Sequence, residues 1–106
     1  MGSIVIKLKP SDLKNPDLDL RYVIPDKISE LTNNKITDDG YDYLDDEDTT
    51  MAIFLKSDKP NEDIKMVLEI LKSELFLDNN LYATSKVAIC ENNNYELSEY
   101  ILAHPL

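Results

Sequence analysis

Residues 3–9 (SIVIKLK) set Ile4, Ile6 and Leu8 on one side and Val5, Lys7 and Lys9 on the other, the period of a first strand. Pro10, Ser11, Asn15 and Pro16 mark the loop that follows. Residues 17–24 (DLDLRYVI) alternate more regularly. Leu18, Leu20, Tyr22 and Ile24 stand opposite Asp17, Asp19 and Arg21, which reads as a half-buried second strand. A helix starting near Arg21 is the alternative. Pro25 argues against it, because proline disfavours helical backbone at the residue before it. Pro25 suits instead the first turn of a short helix, with Asp26 at its positive end, Ile28 and Leu31 on one face and Asn33-Asn34 beyond its end.

Residues 35–44 read as a third strand, interrupted at Asp39-Gly40, a turn or bulge signal. Tyr41 and Tyr43 fall on one face, Asp42 and Leu44 on the other, and 45–49 form a loop. Residues 50–56 (TMAIFLK) carry the strongest strand pattern. Met51, Ile53 and Leu55 oppose Ala52 and Phe54, so this strand is either covered on both faces or covered on one and in contact with a partner on the other. A helix follows, with Asp58 or Lys59 at the cap, Pro60 in the first turn and Glu62 and Asp63 near its N-terminus. Ile64, Val67, Leu68, Leu71 and Leu75 form its apolar stripe, which runs through Phe76 to the stop at Asp78-Asn79-Asn80. Residues 82–90 read as a fifth strand and 91–94 as a tight Asn-rich turn. Residues 95–102 fit a strand or a helix, with the short turn favouring a hairpin; His104-Pro105-Leu106 reads as a frayed tail.

Two helices, each bridging strands and separated by a hairpin, form a split βαβ arrangement with right-handed crossovers. The expected fold is α+β: a ferredoxin-like α/β sandwich with an antiparallel-rich sheet, two helices and extra edge strands. The 106 residues make one domain, 1–106, large enough to fold without disulfides or metal.

Charge changes this picture at one place. The net charge is −10, from 21 acids and 11 bases. Residues 38–48 (DDGYDYLDDED) hold seven of the acids and no base; without them 14 acids face 11 bases. A localised charge of this kind steers cationic partners, whereas a solvated loop is the plain structural reading. Nucleic acid is not expected as a partner, because the only basic excess, Lys7, Lys9 and Lys14, is sparse. No membrane association is expected, since no stretch approaches the ~20 apolar residues of a span. The single cysteine, Cys90, excludes an internal disulfide and suits a reducing compartment. Residues 4–6 are too short an apolar run for a signal peptide, so a cytoplasmic location is expected.

Catalytic chemistry finds few parts. His104 is the only histidine and lies close to the chain's end, and Cys90 sits on a strand with no histidine beside it. Carboxylates on a hydrated loop keep ordinary pKa values, whereas acid–base catalysis usually needs one raised by burial. With only Gly2 and Gly40 there is no phosphate-binding glycine loop. An EF-hand also fails: with Gly40 as sixth loop residue, Lys35 and Thr37 would occupy ligand positions. No enzyme activity, catalytic residue, metal site or cofactor is expected. Protein binding fits better. Tyr41 and Tyr43 supply contact area between the acids, and the carboxylates can pair with Arg or Lys. The candidate partner-binding residues are Asp38, Asp39, Tyr41, Asp42, Tyr43, Asp45, Asp46, Glu47 and Asp48.

On residues 40–48 and the strand–helix unit 51–76, the chain resembles the small acidic immunity proteins of bacterial toxin–immunity systems. That resemblance implies a cytoplasmic inhibitor that covers a basic toxin domain, for example a nuclease. Two readings stand beside it: a small-molecule or metal-binding domain, or an enzyme using carboxylates; and a structural domain forming a homodimer through residues 51–56.

Overall fold

The computed structural model describes residues 2–44, 49–91 and 100–105. Five strands, β1 (Gly2–Leu8), β2 (Ile36–Tyr43), β3 (Met51–Ser57), β4 (Ser85–Cys90) and β5 (Ile101–His104), form one antiparallel sheet in the order β2-β3-β1-β4-β5. Three helices, α1 (Leu20–Leu31), α2 (Pro60–Ser73) and the one-turn α3 (Leu81–Thr84), complete the α+β domain, with a 3-10 turn at Pro10–Asp12. α1 joins β1 to β2 across β3, and α2 joins β3 to β4 across β1.

Period-two alternation decides which side chains form the main core. Ile4, Ile6 and Leu8 of β1 and Met51, Ile53 and Leu55 of β3 meet Leu20, Ile24 and Ile28 of α1 and Ile64, Val67 and Leu71 of α2. The opposite face carries a smaller cluster, Val5, Ala52, Phe54 and Ala88, against which Leu44 and Tyr100 pack. Both faces of β3 are thus buried within the chain. A second copy docking through this strand would have to displace side chains already seated there.

The predicted strand at 17–24 is a helix from Leu20 onward. Leu20, Ile24 and Ile28 are spaced i, i+4, i+8 and fully buried, whereas Leu18 and Tyr22, which strand alternation placed beside them, are 57% and 49% exposed. Both periods contain Leu20 and Ile24, and packing on the sheet selects the helical one. Pro25 lies inside α1 without ending it. The missing N–H deprives one carbonyl of its bond, and burial of the ring offsets that loss. Asp17 accepts the Asp19 N–H at 2.9 Å and starts the turn. Asn33 and Asn34, both left-handed with φ of 54° and 63°, end the helix, a conformation that asparagine tolerates.

The remaining boundaries shift by physical detail. α2 stops at Ser73, leaving Leu75 61% exposed, while Phe76 returns to full burial. The strand expected at 82–90 begins at Ser85, because Leu81–Thr84 make a helical turn whose Asn80 side chain accepts the Ala83 N–H at 3.3 Å. Of the ambiguous stretch 95–102, residues 95–99 lie outside the described residues; Ile101 and Leu102 are in β5 and pair with Ile89 and Ala88. His104 is not frayed. It ends β5, stacks on Tyr82 with ring centroids 4.3 Å apart, and its Nε2–H donates to the Tyr82 carbonyl oxygen at 2.6 Å.

Gly2 occupies a crowded seat. A Cβ there would lie 2.5 Å from Pro60 Cγ and 2.6 Å from the Cys90 carbonyl oxygen, so the start of β1 closes on both β4 and α2. Gly2→Ala is expected to destabilise the protein by about 1–3 kcal/mol through this overpacking. Urea unfolding checks it; an unchanged midpoint would contradict the close approach.

Candidate functional site

The β2–β3 edge of the sheet holds the described part of the candidate site, and β2 is its outermost strand. Register shifts between Asp38 and Tyr41, and Gly40 sits in the bulge with φ of +97°. Asp38 stabilises the bulge by accepting the Gly40 N–H at 2.9 Å. The interruption expected at Asp39-Gly40 is therefore a bulge within one strand. Beyond it, Tyr41 pairs with Ile53 and Tyr43 with Met51, which turns both rings to the helical side of the sheet. Asp42 pairs with Ala52 and turns the other way, toward the side of the smaller cluster.

On the helical side, α1 brings Arg21 and Tyr22 against these tyrosines. Tyr22 and Tyr41 meet edge to face at 6.1 Å, and Tyr41 and Tyr43 at 5.8 Å. The Arg21 guanidinium lies 4.8 Å from the Tyr22 ring centroid and 5.2 Å from that of Tyr41, and its Nη1 donates to the Tyr43 hydroxyl at 3.1 Å. Its Nε is shielded from solvent with no hydrogen-bond partner among the described residues. The hydrogen bond to Tyr43 raises the Arg21 pKa, against the opposing effect of desolvation, so the guanidinium stays charged. Tyr41 is also raised, first by hydrogen bonding with Tyr22, with the Arg21 charge opposing, so its phenol stays neutral. The tyrosines between the acids are therefore organised by a cation of the chain's own. Tyr22 and Tyr41 remain 49% and 40% exposed.

Lysine cannot replace this arginine, because a single ammonium cannot keep its charge beside two rings and also place a separate donor on the third tyrosine as the guanidinium fork does. Arg21→Lys and Arg21→Ala are both expected to lower the melting temperature by a few degrees and to release the Tyr22 and Tyr41 rings to faster motion. Thermal melting and aromatic NMR line shapes check this. Wild-type behaviour in Arg21→Lys would contradict it.

The carboxylates divide around the edge strand. Asp38 and Asp42 are exposed; Asp42 accepts the Tyr43 N–H at 2.8 Å, and neither has an ion pair among the described residues. Asp39 is only 13% exposed, with Oδ1 4.0 Å from Lys56 Nζ. Its Oδ2 is shielded from solvent and has no hydrogen-bond partner among the described residues. Asp45, Asp46, Glu47 and Asp48 lie outside the described residues. The strands on either side of them are joined by the Leu44 N–H donating to the Thr50 carbonyl at 2.8 Å.

Elsewhere, the candidate reactive groups have structural surroundings. Cys90 is buried at the end of β4, and His104 is held by Tyr82. Asp63, 2% exposed, accepts from the Ser57 hydroxyl at 2.6 Å and faces Lys35 Nζ at 3.5 Å, which ties α2 to β3. Among the described residues no group of three or more His, Cys, Asp or Glu side chains could hold a metal ion, and no helix is long and apolar enough to cross a membrane.

Sequence reasoning missed Arg21 and Tyr22 as parts of this site, because strand alternation set them on opposite faces. The signal that finds them is the i, i+4 spacing of Leu20, Ile24 and Ile28. No family model, curated protein or solved structure matches the chain.

Proposed function

We propose that this protein is a non-catalytic inhibitor of the immunity type, a bacterial cytoplasmic protein that covers a basic toxin domain with the edge of its sheet. The carrying observation is the charge imbalance at β2. Asp38, Asp39 and Asp42 stand on an exposed edge strand, and Lys56, at 4.0 Å from Asp39, is the only cation paired with them among the described residues. The Asp39 carboxylate, with Lys56 Nζ 4.0 Å from its Oδ1, adds to the negative field of the edge. Tyr22 and Tyr41 beside the acids supply aromatic contact area already ordered by Arg21, which lowers the entropy cost of docking.

We propose further that the scaffold is ferredoxin-like. The strand sequence β4-β1-β3-β2, with helices following β1 and β3, supports that reading, and β5 is an addition beyond β4.

Affinity capture from the source cells at low salt tests the function. The wild type is expected to retain a basic protein and to abolish that protein's activity. The triple variant Asp38→Lys, Asp39→Lys, Asp42→Lys is expected to do neither. Equal capture by both would refute the assignment of this edge.

A further inference from the structure

The side of the sheet away from the helices carries a second polar feature of opposite sign. Lys7 on β1 and Lys86 on β4 are directly paired in the register, and both line one cavity of about 220 Å³. Lys9, Asp12, Leu44, Thr50 and Thr84 complete its wall. Like charges placed directly opposite on neighbouring strands destabilise a sheet. Neither Lys7 nor Lys86 has an ion pair with a described carboxylate. Lys9 already has an interaction within the chain, so the case rests on the other two. In a chain of net charge −10, two directly paired lysines lining one concave surface are the opposite of a dispersed solubility charge. A second cavity, of about 400 Å³, adjoins the first and shares Asp12, Thr84 and Lys86 with it.

We infer that these cavities bind a small phosphomonoester, with its phosphate between Lys7 and Lys86 and its alcohol portion in the adjoining space. A dianion there turns the cross-strand repulsion into two charge-assisted contacts. The Thr84 hydroxyl donates to the Asn80 carbonyl at 2.9 Å, which leaves its lone pairs to accept from a ligand hydroxyl. Asp12 lines both cavities and is an acceptor only, so it can hold hydroxyls of the alcohol and opposes the phosphate charge. This site lies across the sheet from the Arg21 cluster, and it does not depend on the inhibitor reading.

The test is an NMR titration of the full chain with inorganic phosphate, then with glycerol phosphate, at ionic strength held constant with chloride. Saturable shifts at Lys7, Thr84 and Lys86 are expected, with a dissociation constant of about 1 mM or below. Lys86→Gln, a change at an exposed position, is expected to weaken binding at least about tenfold, the loss of one charge-assisted contact. Lys65→Gln, on α2, is expected to leave binding unchanged. A stability readout runs the opposite way: relief of repulsion raises the melting temperature of Lys86→Gln above wild type without ligand, while phosphate raises the wild type more than the variant. Glycerol phosphate should bind more tightly than inorganic phosphate. No saturable shift, equal affinity in Lys86→Gln, or the same shifts with chloride alone would overturn the site. Weaker binding of the ester than of phosphate would overturn the use of the second cavity.

Discussion

Asn79→Ala is expected to destabilise the protein by about 3 kcal/mol, which for a domain of this size is a fall of roughly 10–20 °C in melting temperature. Asn79 is 1% exposed and lies between the loop before α1 and the loop after α2. Its Oδ1 accepts the Asn15 N–H at 2.8 Å, and its Nδ2 donates to the Asn15 carbonyl at 2.8 Å and to the Phe76 carbonyl at 3.0 Å. Alanine would leave the part-buried Asn15 N–H and carbonyl without that partner, while the Phe76 carbonyl keeps only the Asn79 N–H. Each unsatisfied group costs about 1–3 kcal/mol, and partial relaxation sets the smaller net figure. Aspartate should not rescue the loss. It keeps the acceptor but turns the donating nitrogen into an oxygen facing two carbonyls. A melting temperature within about 3 °C of wild type for Asn79→Ala would show that the two loops are held by something else.

This bridge also shows which features the sequence conceals. Asn79 reads as a helix stop, and it does follow α2, but its partner Asn15 is 64 residues away. Its work lies in a contact that no local pattern encodes. The strands at 3–9 and 50–56 and the helix from Pro60 are legible because their apolar positions repeat with a single period. Residues 17–24 satisfy two periods at once, and the choice between them is made by a sheet that local pattern does not reveal. That one ambiguity hid half of the site: reading α1 as a strand separated Arg21 and Tyr22 from Tyr41 and Tyr43. The bulge at Gly40 was legible, since a glycine beside Asp in a strand marks a place where positive φ is needed. The sequence also shows that the acids are concentrated. It does not show that Asp38 and Asp42 flank opposite sides of an edge strand, because the bulge changes the alternation between them.

The second large effect concerns association. Reversing Asp38, Asp39 and Asp42 to Lys changes the local charge by six and removes three of the seven acids of 38–48. Electrostatic steering raises on-rates by about 10–10³-fold, so the triple variant is expected to associate with the proposed cationic partner at least tenfold more slowly. The individual positions should not contribute alike. Asp38 and Asp42 are exposed and act at long range, so their loss slows encounter and leaves dissociation little changed. Asp39 is largely shielded and faces Lys56, so Asp39→Asn should slow encounter less than the loss of either exposed carboxylate. Tyr41→Ala should raise the off-rate, since it removes contact area and leaves the field intact.

The most direct measurement is the association rate of wild type and triple variant with the captured basic protein, taken by stopped flow across a salt series. For the wild type the rate is expected to fall steeply between about 50 mM and 500 mM salt, as the Debye length contracts well below 10 Å. For the triple variant it should be slow and nearly flat. A wild-type rate indifferent to salt and matched by the variant would contradict the claim that this edge draws in a cationic partner.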